Sequence, residues 1–244
     1  MEGYLREHTI GTILRSSAEI YRNHLVTFLL VIFLPLFPFG LMQEIAQRSN
    51  SITLLTIAIV LNVAATLFVY AAAAVCISDA CVGNPVGAMR GFQKISGSVL
   101  GRLTVTNLLQ MLALIVGFVF LVVPGLLFVI WLMFAPTIVV LEGTYGVAAL
   151  KRSHSLGAGF HWRNARLTAL WTIINAAIGG LIGGILGATI PHMLKEPVFG
   201  WIFVALQLAV LYPLFLISLV LAYYDLRVRK ESYDTKALAE DLMR

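Results

Sequence analysis

The stretch LTVTNLLQMLALIVGFVFLVVPGLLFVIWLMFAPTIVVL, residues 103–141, runs for 39 residues without a charged side chain. A transmembrane helix needs about 20 mostly apolar residues to cross the roughly 30 Å hydrocarbon core. This stretch is therefore long enough for two helices. Pro124-Gly125 is its turn signal, and apolar residues flank it on both sides. We expect two membrane-spanning helices joined by a very tight hairpin.

Four more charge-free stretches flank this one, at residues 23–43, 49–78, 167–194 and 197–224. Each is long enough for one membrane-spanning helix. The chain is 59% hydrophobic and 12% charged, against roughly 45–50% and about 25% in a soluble domain. The sequence therefore predicts an all-α, polytopic membrane protein with six transmembrane helices. Prolines should bend several of these helices; they are Pro35, Pro38, Pro136 and Pro213.

The basic residues are distributed unevenly between the two sides of the predicted bundle. Fifteen of the 17 Lys and Arg residues fall on one side, and Arg48 and Lys195 fall on the other. The positive-inside rule puts the fifteen in the cytoplasm. We expect a single six-helix domain at residues 1–230 and a short tail at residues 231–244, in a bacterial cytoplasmic (inner) membrane with both termini cytoplasmic. The asymmetry explains the net charge of +5, so no nucleic-acid partner is needed.

A short amphipathic stretch with basic residues precedes each pair of spans. The three copies begin at Gly11, Gly87 and Gly146. Helices of this kind lie in the membrane interface with their basic face toward the headgroups. We therefore expect three helical hairpins, each preceded by an interfacial helix that lies flat in the headgroup region.

Each even-numbered span ends in an acidic residue, with basic residues downstream. The acids are Asp79, Glu142 and Asp225. Two interpretations are open for these cytoplasmic-rim acids. Either they form an ion-pair lock with basic residues at the rim, or they are solvated charges. Exposed ion pairs would contribute only about 0–1 kcal/mol each to the stability of the fold.

The leading functional hypothesis is a noncatalytic membrane protein that interacts with lipids, as a scaffold or as a lipid- or solute-transfer component. Basic residues near the surface attract anionic lipid by roughly 1 kcal/mol each. The candidates for headgroup contact are Arg15, Arg90, Lys94, Lys151, Arg152 and His154. No Gly-rich phosphate loop, H-E-x-x-H or G-x-S-x-G motif occurs in the sequence, so we expect no catalytic residues, metal or cofactor.

Two alternative functions remain open. A passive or partner-driven permease requires the amides inside the spans to converge on one cavity; they are Asn62, Gln110, Asn175 and Gln207. A lipid-modifying enzyme, the less favoured alternative, requires His154 or His161 to lie beside one of the rim acids in a membrane-level pocket.

Small residues repeat at intervals of four in the fifth span, from Ala176 through Gly180 and Gly184 to Ala188. Such ridges let membrane helices approach closely. The partner is either another helix of the same subunit, or a second copy or another membrane protein. The sequence does not decide between these two interpretations.

Three segments together resemble a known family: CISDACVGNPV (residues 76–86), VVPGLLFVIWLMFAPTIVVLEGTYGVAALKRS (residues 122–153) and LAYYDLRVRKESYD (residues 221–234). They are similar to bacterial six-helix proteins named for the membrane domain of some glycerophosphoryl diester phosphodiesterases. The resemblance covers nearly the whole chain and implies a fold, not an activity. The catalytic barrel of those enzymes requires a soluble domain with paired acids and a His-Arg-Gly segment, for which this chain has neither the length nor the residues.

Overall fold

The computed structural model describes residues 7–189 and 197–232. Among these residues the chain is helical and contains no strand. The helices are α1 (Ile10–Asn23), α2 (Leu25–Phe28), a π-helical segment (Leu29–Phe33), α3 (Leu34–Arg48), α4 (Ile52–Val82), α5 (Ala88–Gln93), α6 (Gly97–Phe120), α7 (Val122–Leu132), α8 (Ala135–Glu142), α9 (Val147–Gly157), α10 (His161–Thr189) and α11 (Pro197–Glu231). The predicted tail after Ser232 lies outside the described residues, as do four of the counted basic residues: Arg6, Lys195, Lys236 and Arg244.

Six helical segments of the described chain are long and apolar enough to cross a membrane. They are span 1 (Leu25–Arg48), span 2 (Ile52–Val82), span 3 (Gly97–Phe120), span 4 (Val122–Glu142), span 5 (His161–Ile185) and span 6 (Gln207–Glu231). The predicted all-α, six-helix architecture is confirmed. The chain is therefore a multi-pass membrane protein.

The hairpin between spans 3 and 4 is as tight as predicted. Leu121 alone separates α6 from α7, in an extended conformation. A Cβ at Gly117 would lie 2.5 Å from the ring of Phe128 and 3.1 Å from the Cα of Gly125, and the ring of Phe118 crowds Gly125 in the same way. The two glycines therefore let the two helices meet closely beside the turn.

Proline interrupts two of the spans. The π-helical segment of span 1 ends just before Pro35, and span 4 breaks between α7 and α8, just before Pro136. Proline donates no backbone hydrogen bond and so leaves a carbonyl of the preceding turn without its helical partner. Pro38 and Pro213 lie within α3 and α11, which continue through them.

We call α1, α5 and α9, each of which precedes a pair of spans, the short helices. The first of them, α1, packs lengthwise on α11. The hydroxyls of Ser17 and Ser218 are 2.9 Å apart, and the Tyr21 hydroxyl donates to the Ala209 carbonyl at 2.9 Å. As residue numbers rise along α1 they fall along α11, so the two helices run antiparallel. The expectation that α1 lies flat is wrong, because α1 runs alongside a membrane-spanning helix of the bundle.

The other two short helices also pack on long helices. In α5 the ring of Phe92 stacks on Phe68 of α4 at 5.4 Å, and a Cβ at Gly91 would lie 2.7 Å from the Cys76 sulfur. In α9 the Ser153 hydroxyl donates to the Trp131 carbonyl of α7 at 2.8 Å. Each short helix thus covers an even-numbered span: α5 covers span 2, α9 covers span 4, and α1 covers span 6.

Burial is concentrated at the end of the bundle that carries Asp79, Glu142 and Asp225, which we call the charged end. Every residue from 71 to 81 of α4 is buried, whereas most of residues 52–64 are exposed. The 31 residues of α4 extend for about 46 Å at roughly 1.5 Å per residue, more than the roughly 30 Å of a hydrocarbon core. Protein side chains, not lipid, therefore surround this end of α4.

Candidate functional site

Three consecutive residues of α11, Tyr223, Tyr224 and Asp225, connect the parts of the charged end; we call them the Tyr-Tyr-Asp triplet. All three are at most 1% exposed. The Tyr223 hydroxyl donates to Glu142 at 2.8 Å, and the Tyr224 hydroxyl donates to Ser78 at 2.7 Å. Successive side chains point in different directions around a helix. The triplet therefore reaches a different element with each residue.

Asp225 is the most enclosed acid of the charged end. Its carboxylate lies 2.8 Å from the Arg163 guanidinium and 3.0 Å from that of Arg229. The backbone N–H of His8 also donates to this carboxylate. Both arginines donate in turn to the His8 carbonyl, at 3.0 and 3.2 Å. Asp225 thus attaches the chain segment before α1 to α10 and α11.

Glu142, at the end of α8, forms the second group of ion pairs. Its carboxylate lies 3.0 Å from Arg152 of α9 and 4.0 Å from Arg227 of α11. Both arginines also pair with Glu231. Hydrogen bonds to Glu231 and Glu142 raise the pKa of Arg152. Two carboxylates and two guanidiniums therefore alternate across α8, α9 and α11.

Asp79 is at the centre of a third group of polar contacts, whose distances are longer than those around Asp225. Its side chain is 2% exposed and lies 3.7 Å from the Lys94 ammonium. The Asn84 amide donates to it at 3.4 Å, at the turn where Gly83 ends α4 with a φ of 81°. All three rim acids are therefore in ion pairs, which answers the choice left open by the sequence in favour of pairing over solvated charge.

The candidate headgroup residues fall into two groups. Lys94 and Arg152 pair with acids. Arg15, Arg90 and Lys151 are exposed, and within the described residues none of the three side chains has an ion pair or hydrogen bond. One of these three candidates lies on each of α1, α5 and α9, and in the same part of the chain Arg22 of α1 is exposed and unpaired as well.

The sixth candidate, His154, packs edge-on against Trp131 at 4.8 Å and stacks on His161 at 5.8 Å between ring centroids. In the described part of the chain, neither histidine hydrogen-bonds or pairs with Asp79, Glu142 or Asp225. The contact required by the enzyme hypothesis is therefore not made. The described part of the chain contains no group of three or more His, Cys, Asp or Glu side chains that could hold a metal ion.

Exposed aromatic and apolar side chains lie on, or next in sequence to, the helices that carry these cations. Trp162 at the start of α10 is 84% exposed, Tyr145 before α9 is 53% exposed, and Met89 of α5 is 69% exposed. Trp and Tyr are enriched where a membrane protein meets the headgroup region. The surface around the short helices therefore has the composition of a membrane interface.

The four intramembrane amides do not share one cavity. Asn175 donates to the Trp171 carbonyl at 2.9 Å, and Gln207 donates to the Asn175 carbonyl at 3.5 Å. Asn62 instead lines a cleft at the end of the bundle opposite the charged end. Gln110 of α6 has a buried side-chain oxygen without a partner among the described residues. These separate surroundings do not form the path that the permease hypothesis requires.

The small residues of span 5 face two environments. A Cβ at Gly179 would lie 3.0 Å from the Gln207 amide, whereas a Cβ at Gly180 or Gly184 would meet nothing within 4 Å. Gly179 therefore packs within the subunit. The ridge of Gly180 and Gly184 is open, and its use for a second copy or a membrane partner stays a prediction.

Sequence reasoning missed the residues that join the acids. The hydroxyls of Tyr223 and Tyr224 and the guanidinium of Arg163 complete the site, but the tyrosines were read only as part of a family segment and Arg163 only as one basic residue among fifteen. Two adjacent hydroxyls at the end of an apolar helix were the available signal, because buried polar groups need partners.

A model of one protein family, a domain of unknown function (DUF8558), matches residues 88–244. The match covers well over half of the chain and includes α5, α9 and the Tyr-Tyr-Asp triplet. No curated protein and no solved structure matches the chain.

Proposed function

We propose that this chain, which belongs to the DUF8558 family, is a noncatalytic membrane protein that binds anionic lipid headgroups at its charged end, as a scaffold or lipid-transfer component. The observation that carries the proposal is that Arg15, Arg90 and Lys151, one on each of α1, α5 and α9, are exposed and form no ion pair among the described residues. Arg22, Arg102 and Arg166 are likewise exposed without an ion pair there.

The energetics favour headgroups for these cations. Each basic residue near an anionic membrane surface contributes about 1 kcal/mol, so three together correspond to about a hundredfold in affinity. The rim acids do not neutralise them, because Asp79, Glu142 and Asp225 already pair with other residues. The exposed Trp162 and Tyr145 supply the apolar contacts typical of a membrane interface.

A noncatalytic role accords with the same contacts. General acid and base catalysis requires a side chain that can exchange a proton with a substrate. The Asp225 carboxylate is enclosed by Arg163, Arg229 and a backbone N–H, so it has no face left for a substrate.

We further propose that the charged end faces the cytoplasm of a bacterial cell, with the protein in the inner membrane and both termini inside. The uneven distribution of Lys and Arg supports this orientation. The likeness to the membrane domain of glycerophosphoryl diester phosphodiesterases stays a prediction about ancestry and adds no activity.

The test removes the charges of these three residues together. The variant Arg15→Gln/Arg90→Gln/Lys151→Gln, extracted in mild detergent, should retain phosphatidylglycerol up to about a hundredfold less than the parent in native mass spectrometry. The matched control, Arg15→Lys/Arg90→Lys/Lys151→Arg, keeps the charge and should retain the lipid. Equal retention by the Gln variant and the control would overturn the proposal.

A further inference from the structure

Helix α1 extends along one side of α11 for much of its length. The segment before α1 is attached to Asp225 of α11, and in the last turn of α1 the Tyr21 hydroxyl donates to the Ala209 carbonyl at 2.9 Å. Residues 209–225 of α11 extend about 24 Å at roughly 1.5 Å per residue. On this side of the protein, the outer surface over that length is therefore the outer face of α1.

The outer face of α1 is charged. Arg15, Glu19 and Arg22 are all exposed. Charged side chains are costly in hydrocarbon, and those that occur within spans almost always face the interior of a bundle or a water-filled cavity. The hydrocarbon core therefore begins no nearer to the charged end than the last turn of α1, where Tyr21 meets Ala209.

The second short helix, α5, sets a similar limit beside α4. The ring of Phe92 stacks on Phe68 of α4 at 5.4 Å, and the two residues that follow, Gln93 and Lys94, are exposed. Polar and charged side chains thus surround α4 down to the level of Phe68. The part of α4 that faces hydrocarbon lies between Phe68 and the other end of the helix.

The exposed apolar side chains of the two long helices end near the same places. Among the described residues, the last large one on α11 is Val210, at 49% exposure, and the last on α4 is Val63, at 52%. Asn62 and Leu208, close to these residues, line one cleft. The lipid-facing surfaces of α4 and α11 therefore end at about the same depth.

The apolar belt on this side is short. Its far edge is the exposed polar turn between α3 and α4, at residues 48–51. From Ile52 to Phe68, α4 extends about 24 Å, and from Pro197 to Ala209, α11 extends about 18 Å. The hydrocarbon core of a typical bilayer is roughly 30 Å thick, and any tilt of the helices shortens the belt further.

Span 5 differs from this side in the length of its apolar surface. No charged residue occurs between Arg166 and Lys195 in the sequence, and α10 from Leu167 to Thr189 extends about 33 Å. Ile173 on this helix is 63% exposed. The apolar belt is therefore uneven, with full bilayer thickness at span 5 and a shorter one beside α1 and α5.

We propose that the lipid-facing surface beside α1 and α5 fits a bilayer whose hydrocarbon core is about 18–24 Å thick, and that it thins a thicker bilayer on that side only. Its partner is the hydrocarbon of short-chain phospholipids, whatever their headgroup. The inference is thus independent of anionic-lipid binding at the charged end. Hydrophobic mismatch costs free energy for each Å, so thin membranes should stabilise the protein.

The first test compares two exposed residues at similar depths, Ala18 of α1 and Ile173 of α10. Their depths match because Ser17 and Trp171 both contact α11 within residues 215–218. In a protein whose two native cysteines are replaced by alanine, each is changed to cysteine and exposed to a water-soluble maleimide in dioleoylphosphatidylcholine nanodiscs. Ala18→Cys should react about tenfold or more faster than Ile173→Cys, because the reactive form of a thiol is the thiolate, which apolar surroundings disfavour.

Glu19→Cys is a second position on α1 and should also react rapidly, while size-exclusion chromatography checks that each variant is folded. Equal protection of the thiols on α1 and α10 would place α1 in hydrocarbon and overturn the proposal. Equally rapid labelling of all of them would show that the belt is not uneven and would overturn it as well.

The second test varies the thickness of the bilayer. The thermal midpoint of unfolding should be highest in liposomes of dimyristoleoylphosphatidylcholine, lower in the dioleoyl lipid and lowest in the dierucoyl lipid, since mismatch grows with chain length. Glu19→Leu/Arg22→Leu keeps the net charge and extends the apolar surface, so it should move the optimum to longer chains. Any other order of midpoints for the parent protein, or an optimum that this variant does not move, would contradict a thin belt beside α1.

Discussion

Spans 5 and 6 are consecutive, and their most apolar 18-residue stretches have nearly the same mean hydropathy, 1.6 and 1.8, yet 6% of that stretch in span 5 and 67% in span 6 is buried within the protein. Mean hydropathy therefore indicates that a helix enters the membrane, but not whether it faces lipid or protein. The difference lies in individual side chains. Span 6 carries the Tyr-Tyr-Asp triplet near its C-terminal end, whereas span 5 presents Gly180 and Gly184 to open space.

The polar groups of span 6 explain its central place. A buried hydroxyl or carboxylate costs free energy unless it is hydrogen-bonded, and each member of the triplet finds its partner on a different element. Span 5 carries no such requirement along its small-residue ridge. If this account is right, substitutions in span 6 change the stability of the whole protein and substitutions on the open ridge of span 5 do not.

The largest expected effect is that of Asp225→Ala. The change leaves Arg163 and Arg229 without their buried partner, and breaking a buried ion pair typically costs about 3–5 kcal/mol. Thermal unfolding followed by size-exclusion chromatography should show a large loss of folded protein. The control is Glu7→Ala, because Glu7 also pairs with Arg229 but its side chain is 64% exposed. If both variants unfold alike, the buried pair is not what distinguishes span 6.

A smaller loss is expected when the tyrosine hydroxyls are removed. Tyr223→Phe leaves Glu142 with one donor fewer, and Tyr224→Phe does the same to Ser78. Each should lower the free energy of unfolding by about 1–3 kcal/mol. Tyr145→Phe is the matched control, since Tyr145 is 53% exposed. A double-mutant cycle of Tyr223→Phe with Glu142→Gln should reveal coupling; additive losses would mean that the two residues do not interact.

The smallest effect on stability is expected on span 5. Gly180→Leu enters open space and should change the free energy of unfolding by no more than about 0.5 kcal/mol. Gly40→Leu, by contrast, meets Trp201 of α11 and should cost about 1–3 kcal/mol. A clear destabilisation by Gly180→Leu would show that the ridge has a partner, and a lower oligomeric state in light scattering would identify that partner as a second copy.

The number of spans and the tight hairpin followed directly from the sequence. Long gaps between charged residues are imposed by the hydrocarbon core, and Pro124-Gly125 admits only a short turn, so both features are local. The three rim acids were also singled out, because an acid at the end of an apolar helix stands out in one sequence.

The partners of those acids did not follow from the sequence. Ser17 and Ser218 are 201 residues apart in the chain, and nothing in a single sequence states that α1 packs on α11. An amphipathic helix has the same pattern whether its apolar face meets lipid or another helix. That ambiguity is why α1 was expected to lie flat on the membrane surface.

The central claim is that span 6 joins the first short helix to the rest of the bundle, and one disulfide tests it directly. In a background with Cys76→Ala and Cys81→Ala, the pair Ser17→Cys/Ser218→Cys replaces two hydroxyls that are 2.9 Å apart, close enough for a disulfide once oxidised. We expect nearly complete cross-linking in nanodiscs, seen as a loss of free thiol, whereas Arg15→Cys/Ser218→Cys should remain uncrosslinked because Arg15 is exposed on α1. Absence of the Ser17–Ser218 cross-link in folded protein would contradict the account.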